Sequence, residues 1–315
     1  MNPIRSLAFL ALLPFAANAA DEVVTDPELA GPDFAVQGEY AGGNHAAQVI
    51  ALGGGKFHLV GWNHGLPGTS PEVEKVTEVD ALREGDKIVF KGEKWQVEIV
   101  AGELIGKDEN GQEFRAKRII RESPTLLAKP PEGALVLFDG TTADAWEGGK
   151  LLPGGLLQMG TKTKQSFGDC TLHLEFRLPF KPLARGQQRG NSGVYLQDRY
   201  EVQVLDSFGL PLEDNHCGGI YQVAKPKVNL CFPPLQWQTY DIDFTAAKYD
   251  ATGMKTHNAV LTVKHNGVLI QDHVEVPHAT PSSGHKEGPE EAPLYLQDHN
   301  NPVVYRNIWI IAKKG

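Results

Sequence analysis

The chain has 315 residues, 41% of them hydrophobic, with 34 glycines, 21 prolines and a formal net charge of −9. That length supports a full hydrophobic core and about two domains. The negative balance argues against a nucleic-acid partner, and no acidic block is long enough to form a charged tail.

Residues 1–19 read as an export signal: Arg5 gives the positive start, Leu7 to Phe15 the apolar core, and Ala17-Asn18-Ala19 the small-residue cleavage site before Ala20. No cysteine follows to accept a lipid, and no later segment is long and apolar enough for a membrane span. The expectation is an exported protein, periplasmic or extracellular. Residues 20–33 form an acidic approach segment.

From 34 to 121 the chain alternates short apolar runs with glycine turns, as in Lys56-Phe57-His58-Leu59-Val60 and Trp95 to Val100. Asp108-Glu109-Asn110-Gly111 is a hairpin signal, because Asn-Gly tolerates positive φ. This stretch is expected to be a small antiparallel β-domain, a meander or a partly closed barrel. Pro124, Pro130 and Pro131 then mark a linker over 122–133, stiffened by residues that cannot donate to a β-ladder.

The second domain, 134–315, opens with Leu135-Val136-Leu137-Phe138-Asp139-Gly140 and Trp146. In Leu172 to Leu178 the apolar residues alternate with His173, Glu175 and Arg177, so one face is buried and the other carries charge. Strands follow at Val194–Gln197, Tyr200–Leu205, Trp237–Phe244, Ala259–His265, Leu294–Gln297 and Val303–Ile311, with a hairpin turn at Asn266-Gly267. Many strands and almost no helical periodicity predict an all-β chain, its second domain a two-sheet antiparallel sandwich of jelly-roll type. Cys217 and Cys231 flank a glycine-containing loop; pairing would contribute about 3 kcal/mol, and three free buried thiols, with Cys170, is the alternative.

The most informative strand is Tyr200-Glu201-Val202-Gln203-Val204-Leu205-Asp206, which sets a carboxylate and an amide on one face where a simple core strand has none. A solvent-facing edge accounts for it equally well when the strand is taken alone. The surrounding landmarks add to it: Phe138-Asp139-Gly140, Asn191-Ser192-Gly193, Gly218-Gly219-Ile220-Tyr221, Trp237, Asn266-Gly267, Leu296-Gln297-Asp298-His299 and Tyr305-Arg306-Asn307-Ile308. In order and spacing these resemble the 3-keto-disaccharide hydrolase family over roughly residues 134–312. The resemblance implies a concanavalin-A-like sandwich that holds a glycoside or oligosaccharide substrate on one sheet, and it gives the N-terminal β-domain no role.

A ketone at sugar C3 acidifies the C2 proton and places the glycosidic oxygen at C1 in the β position, so a base can drive elimination and water can then add. Such a site needs a base of tuned pKa, donors for the enolate oxygen and an acid near the leaving group; a divalent ion could serve the enolate instead. Glu201 is the first candidate for base or metal ligand. Gln203, about 7 Å along the same face, is a candidate donor, and Asn191 and Tyr221 are two more. His299 is a candidate proton shuttle, and Arg306 a partner for an oxyanion or a carboxylate. The bland readings are a turn cap for Asn191, a core aromatic for Tyr221, loop chemistry for His299 and an ion pair to Glu175 or Asp206 for Arg306. Asn215 and His216 are expected to border the pocket, and His257, His273, His278 and His285 to lie on the surface.

Two other functions compete. Retaining glucanases of this sandwich class use Glu-x-Asp-x-x-Glu on a bulged strand, with outer carboxylates about 5–5.5 Å apart. Here the pattern is Glu201-x-Gln203-x-x-Asp206, and a bulge is needed to bring Asp206 to the face of Glu201. A non-catalytic carbohydrate-binding module would instead grip sugar with Trp237, Tyr195 and the amides.

Overall fold

A computed structural model describes residues 23–108 and 110–313. The segment read as an export signal lies outside the described residues, and so does Glu109 of the Asp108–Gly111 turn. Among those described, the helices are one α-helix, Gly31–Val36, and two 3₁₀ turns; no helix is long and apolar enough to cross a membrane.

Eight antiparallel strands between Gly38 and Ile119 close into a barrel, the first pairing with the last through Glu39↔Ile119 to Ala41↔Lys117. Closure removes the sheet edges that an open meander would expose. Alternate residues point into the lumen, among them Val49, Phe57, Leu59, Phe90 and Ile99.

The second domain is a sandwich. One sheet has five strands in the order Trp146–Glu147, Thr161–Phe167, Ala292–Leu296, Ser192–Leu196, Tyr200–Val204. The other runs from Leu151–Leu152 through Val304–Ala312, Cys170–Arg177 and Trp237–Thr245 to Val268–Val276. Leu172, Leu174 and Phe176 meet Val194, Val202, Val204 and Leu296 between the sheets, all fully buried. Each fully buried side chain of this kind stabilises the fold by about 1.5–3 kcal/mol. At the hairpin turn, Asn266 and Gly267 both take positive φ, 48° and 80°, which an Asn-Gly pair reaches at low steric cost.

The three cysteines are all free and buried, so the loop between Cys217 and Cys231 is not closed by a disulfide. Cys217 Sγ instead lies 3.1 Å from the Tyr240 hydroxyl, and Cys231 Sγ donates to the Leu205 carbonyl.

Barrel and sandwich are packed together. Ile50 and Val60, on the outside of the barrel, belong to the sandwich core cluster. The Arg189 guanidinium donates to the Ala51 carbonyl and holds Asp206 at 2.6 Å, while Arg185 donates to the Leu52 carbonyl.

The linker is docked rather than merely stiff. Ser123 and Thr125 bond Thr239, Thr125 bonds Asp241, and the Leu127 N–H donates to Glu175. Ala128 offers its carbonyl to Asn307 and Trp309. These contacts cover the charged outward face of Cys170–Arg177, so His173 and Glu175 are fully buried. Burial opposes ionisation of Glu175, but bonds from His173, Asn307, Arg306 and the Leu127 N–H prevail and hold its pKa down to about 2. Burial likewise opposes charging of His173, and the Asp241 and Glu175 carboxylates outweigh it and raise its pKa.

The sign of each shift sets a pH window. Glu175 stabilises above the ordinary carboxylate value of 4.5 and loses this as pH falls toward 2; His173 stabilises fully below 6.5 and loses this as pH rises through its raised value. Replacing Glu175→Gln is expected to cost about 2–3 kcal/mol at pH 5.5, with the loss shrinking toward pH 3, measured by chemical denaturation. A loss that is the same at both pH values would rule out an electrostatic clamp.

Candidate active site

In Tyr200–Val204, residues 200, 202 and 204 enter the sandwich core, so Glu201 and Gln203 face outward from the five-stranded sheet. A solvent-facing strand would leave them exposed. Here both are buried, at 3% and 2% exposure. The free edge of the strand is covered: the Glu201 N–H donates to Thr280 Oγ1, the Gln203 N–H to the Gly219 carbonyl, and the Tyr221 N–H to the Glu201 carbonyl.

The register lays a row across four strands, Lys162↔Tyr295, Tyr295↔Tyr195, Tyr195↔Glu201. Neighbours in such a row have Cβ atoms about 4.5–5.5 Å apart, so their side chains meet. The Lys162 ammonium lies 4.8 Å from the centre of the Tyr295 ring, and Tyr295 packs on Tyr195 at 5.6 Å. Tyr195 Oη is 2.8 Å from Glu201 Oε2 and 3.0 Å from the Pro281 carbonyl, and accepts from Gln297 Nε2 at 3.2 Å. Lys162 also pairs with the buried Asp198 at 2.5 Å, and His285 holds the same carboxylate at 2.7 Å.

Burial pushes the Glu201 pKa up to about 8, and the Tyr195 hydroxyl only partly offsets it. Burial and the neighbouring carboxyl also raise Tyr195, which therefore stays a phenol. The phenol has one proton to give and two acceptors within reach. When Glu201 is charged the proton turns to it; when Glu201 is neutral the proton turns to Pro281, and Tyr195 can accept from the carboxyl.

Gly193, opposite Gln203 in the register, makes room for this carboxyl. A Cβ built on Gly193 would lie 2.1 Å from Glu201 Oε1, so any other residue would displace the group.

The sequence candidates divide. Glu201, Tyr195, Gln203, Asn191 and Tyr221 lie together. The Gln203 amide nitrogen is occupied by Asn191 Oδ1 and the Ser192 and Val204 carbonyls, and Asn191 in turn donates to Gln187. Gln203 and Asn191 therefore brace each other, whereas the sequence reading had them as donors to substrate. Tyr221 is half-buried beside them. His299 is half-buried on the loop that leaves Ala292–Leu296, and its imidazole makes no hydrogen bond among the described residues.

Trp237 and Arg306 do not join the cluster. Arg306 bonds Glu175 at 2.7 Å and lies over the Trp237 ring at 3.9 Å, on the outward face of the other sheet. Alternation decides this, because Tyr305 beside Arg306 enters the core. Asp206 also lies elsewhere. The pairing of Ser192–Leu196 with Tyr200–Val204 runs without a bulge, and Asp206, beyond the strand end, is taken by Arg189. The bulge that the glucanase pattern requires is absent from this pairing.

Sequence reasoning missed Lys162, Tyr295 and Asp198; His285 is exposed, as expected, and reaches Asp198 from the surface. Only long-range pairing brings residues 162, 285 and 295 beside 195–201. For a divalent ion the donor set is poor: Glu201 is the one acid in its row, Asp198 is engaged by the Lys162 ammonium and the His285 ring, and no three His, Cys, Asp or Glu converge among the described residues.

Residues 133–311 match a family model described as a 3-keto-alpha-glucoside-1,2-lyase-like domain. A candidate glycosyl hydrolase of known structure from Parabacteroides distasonis is 34% identical over 58% of this chain and 85% of its own, with a TM-score of 0.52. A second from the same organism is 16% identical over 62% of this chain and 99% of its own, with a TM-score of 0.40. No curated protein matches the chain.

Since its pKa is raised in the folded state, Glu201 binds a proton between pH 4.5 and 8 that the unfolded chain releases, so native stability falls as pH rises through that window. Glu201→Gln removes the ionisation. The variant is expected to match the wild type at pH 4.5 and exceed it at pH 9 by on the order of 2–4 kcal/mol, measured by urea denaturation. A wild type that is the more stable at pH 9 would contradict a desolvated carboxyl.

Proposed function

The chain belongs to the 3-keto-alpha-glucoside-1,2-lyase-like family, and from that premise we propose that it cleaves the glycosidic bond of 3-keto-glycosides by elimination across C1–C2. The observation that carries this reading is the buried Glu201 carboxyl, with a pKa of about 8 and Tyr195 as its partner. A carboxylate of ordinary pKa is a weak base toward a carbon acid; raising its pKa makes it a stronger one near neutrality.

In the proposed reaction the Glu201 carboxylate takes the C2 proton. The electron pair of that C–H bond passes into a C2–C3 enolate, with negative charge on the C3 oxygen. Re-formation of the ketone moves the pair to C1–C2 and expels the aglycone oxygen from C1, which leaves as the alcohol with the proton that Glu201 took from C2, so the carboxylate is restored. Water adding to the C1–C2 double bond returns a hydrogen to C2 and completes net hydrolysis. Tyr195 holds the carboxyl throughout by switching its single proton between Glu201 and Pro281. Tyr221, half-buried beside Glu201, is the group free to meet the sugar, and His299, half-buried on the loop after Ala292–Leu296, is the candidate shuttle for the proton that reaches the leaving group.

The competing functions have less support. Double displacement lacks its second carboxylate, because Asp206 is held by Arg189. A binding module has no use for a carboxyl whose burial costs stability at neutral pH.

Release of aglycone is expected from 3-keto-glucosides and not from the unmodified glucosides. Glu201→Gln should lower kcat by about 10²–10⁴, and kcat/KM should rise with pH through an inflection near 8. Deuterium at C2 should slow the wild-type reaction. Equal turnover of ordinary glucosides, or no isotope effect combined with full activity in Glu201→Gln, would overturn the reading. Gly193→Ala is expected to fold and yet lose at least about ten-fold in kcat, through displacement of the base by a fraction of an ångström or more.

A further inference from the structure

The barrel lies outside the matched domain, and its two ends are built differently. At the Gly53–Gly55 turn the lumen is closed: Phe57 is fully buried, and Phe34 of the Gly31–Val36 helix packs on Phe180 at 5.3 Å. At the opposite end, where His45 and Glu113 begin their strands, a cavity of about 710 Å³ enters the lumen. Its floor is small and apolar, with Ala47, Val97, Leu104 and Ala116. An eight-stranded barrel is just wide enough to be filled by its own side chains or to hold one small ligand. Alanines at these inward positions leave the second option open.

The rim adds aromatic walls. Trp95 and Phe114 line the cavity half-buried, and His45 packs on Phe114 with ring centres 4.6 Å apart. Asn63 and Gln112 add neutral amides. The rim cations are partnered, Arg115 with Glu103 at 3.2 Å and Lys107 with Glu113 at 3.9 Å, so the opening is not built for an anion.

We propose that this end of the barrel binds a small neutral molecule whose apolar ring enters the lumen between Trp95 and Phe114 and whose hydroxyls meet the Asn63 and Gln112 amides. An aryl glycoside and a free cyclic or aromatic alcohol share this chemistry. The site is independent of Glu201 and of the reaction assigned to it.

The test titrates the full chain, by tryptophan fluorescence and calorimetry, with phenyl β-D-glucoside, 2-naphthol and methyl β-D-glucoside. Saturable binding of at least one of the first two is expected, with the methyl glucoside much weaker. Which of the two binds identifies the source of the ring. Affinity should drop about ten-fold or more in Trp95→Ala and stay unchanged in Glu201→Gln. Hydrogen exchange on the wild type keeps the test valid if Trp95→Ala fails to fold: protection should fall on residues 42–47, 59–63 and 110–116. No saturable binding of either ring compound at millimolar concentration overturns the proposal. So does unchanged affinity in a folded Trp95→Ala, or protection confined to 193–203.

Discussion

Glu201 is a carboxyl group withdrawn from water with one neutral hydrogen-bond partner, and the layout around it follows from that constraint. Ionising such a group is costly unless a cation or several donors compensate. Among the described residues none is placed at its oxygens, so its pKa rises to about 8. The remaining features keep the group there without neutralising it. Gly193 leaves the space its oxygen occupies, Tyr195 adapts to either protonation state, and Thr280, Gly219 and Tyr221 satisfy the backbone of a strand that would otherwise be an open edge.

The two outward faces of the sandwich carry the same kind of alternation to opposite ends. On one face Glu175 sits among Arg306, Asn307, His173 and a linker N–H, and its pKa falls to about 2. On the other, Glu201 has Tyr195 alone among the described residues. Both side chains are buried, so exposure does not separate them; the charge and donor count around each does. The first arrangement fastens a linker. The second leaves a carboxyl that keeps its proton toward neutral pH at a cost in stability, and the proposed reaction rests on that feature.

The barrel reaches this site through the loop that follows its strand. Asp206, beyond Val204, is held by Arg189, and the same guanidinium donates to Ala51 of the barrel. The buried pair and the shared core residues Ile50 and Val60 make the domain joint part of the frame that fixes where the strand ends. Breaking one member of such a buried pair leaves an uncompensated charge, typically at 3–5 kcal/mol. Movement between the domains therefore meets a substantial energetic resistance.

Much of the fold was legible in the residues themselves. Period-two alternation assigns face parity within a strand, so Leu172, Leu174 and Phe176 had to oppose His173 and Glu175, and Glu201 had to share a face with Gln203. Asn266-Gly267 announced its turn because few other pairs accept positive φ twice in succession. Local rules of this kind act over a few residues, and their reach ends there. Parity cannot say which sheet a strand joins, so Trp237 and Arg306 were grouped with Glu201 although they face away from it on the other sheet. Nor can it say what covers a face: the linker over Glu175 and the Thr280–Pro281 segment over Glu201 arrive from 48 or more positions away. The sequence by itself determined the β-class, the core faces and the identity of the carboxyl. Tertiary structure alone decided that this carboxyl is dry, that Tyr195 is its partner and that Tyr295 and Lys162 continue the row beyond Tyr195, because strand order and burial are long-range properties and a pKa follows from them.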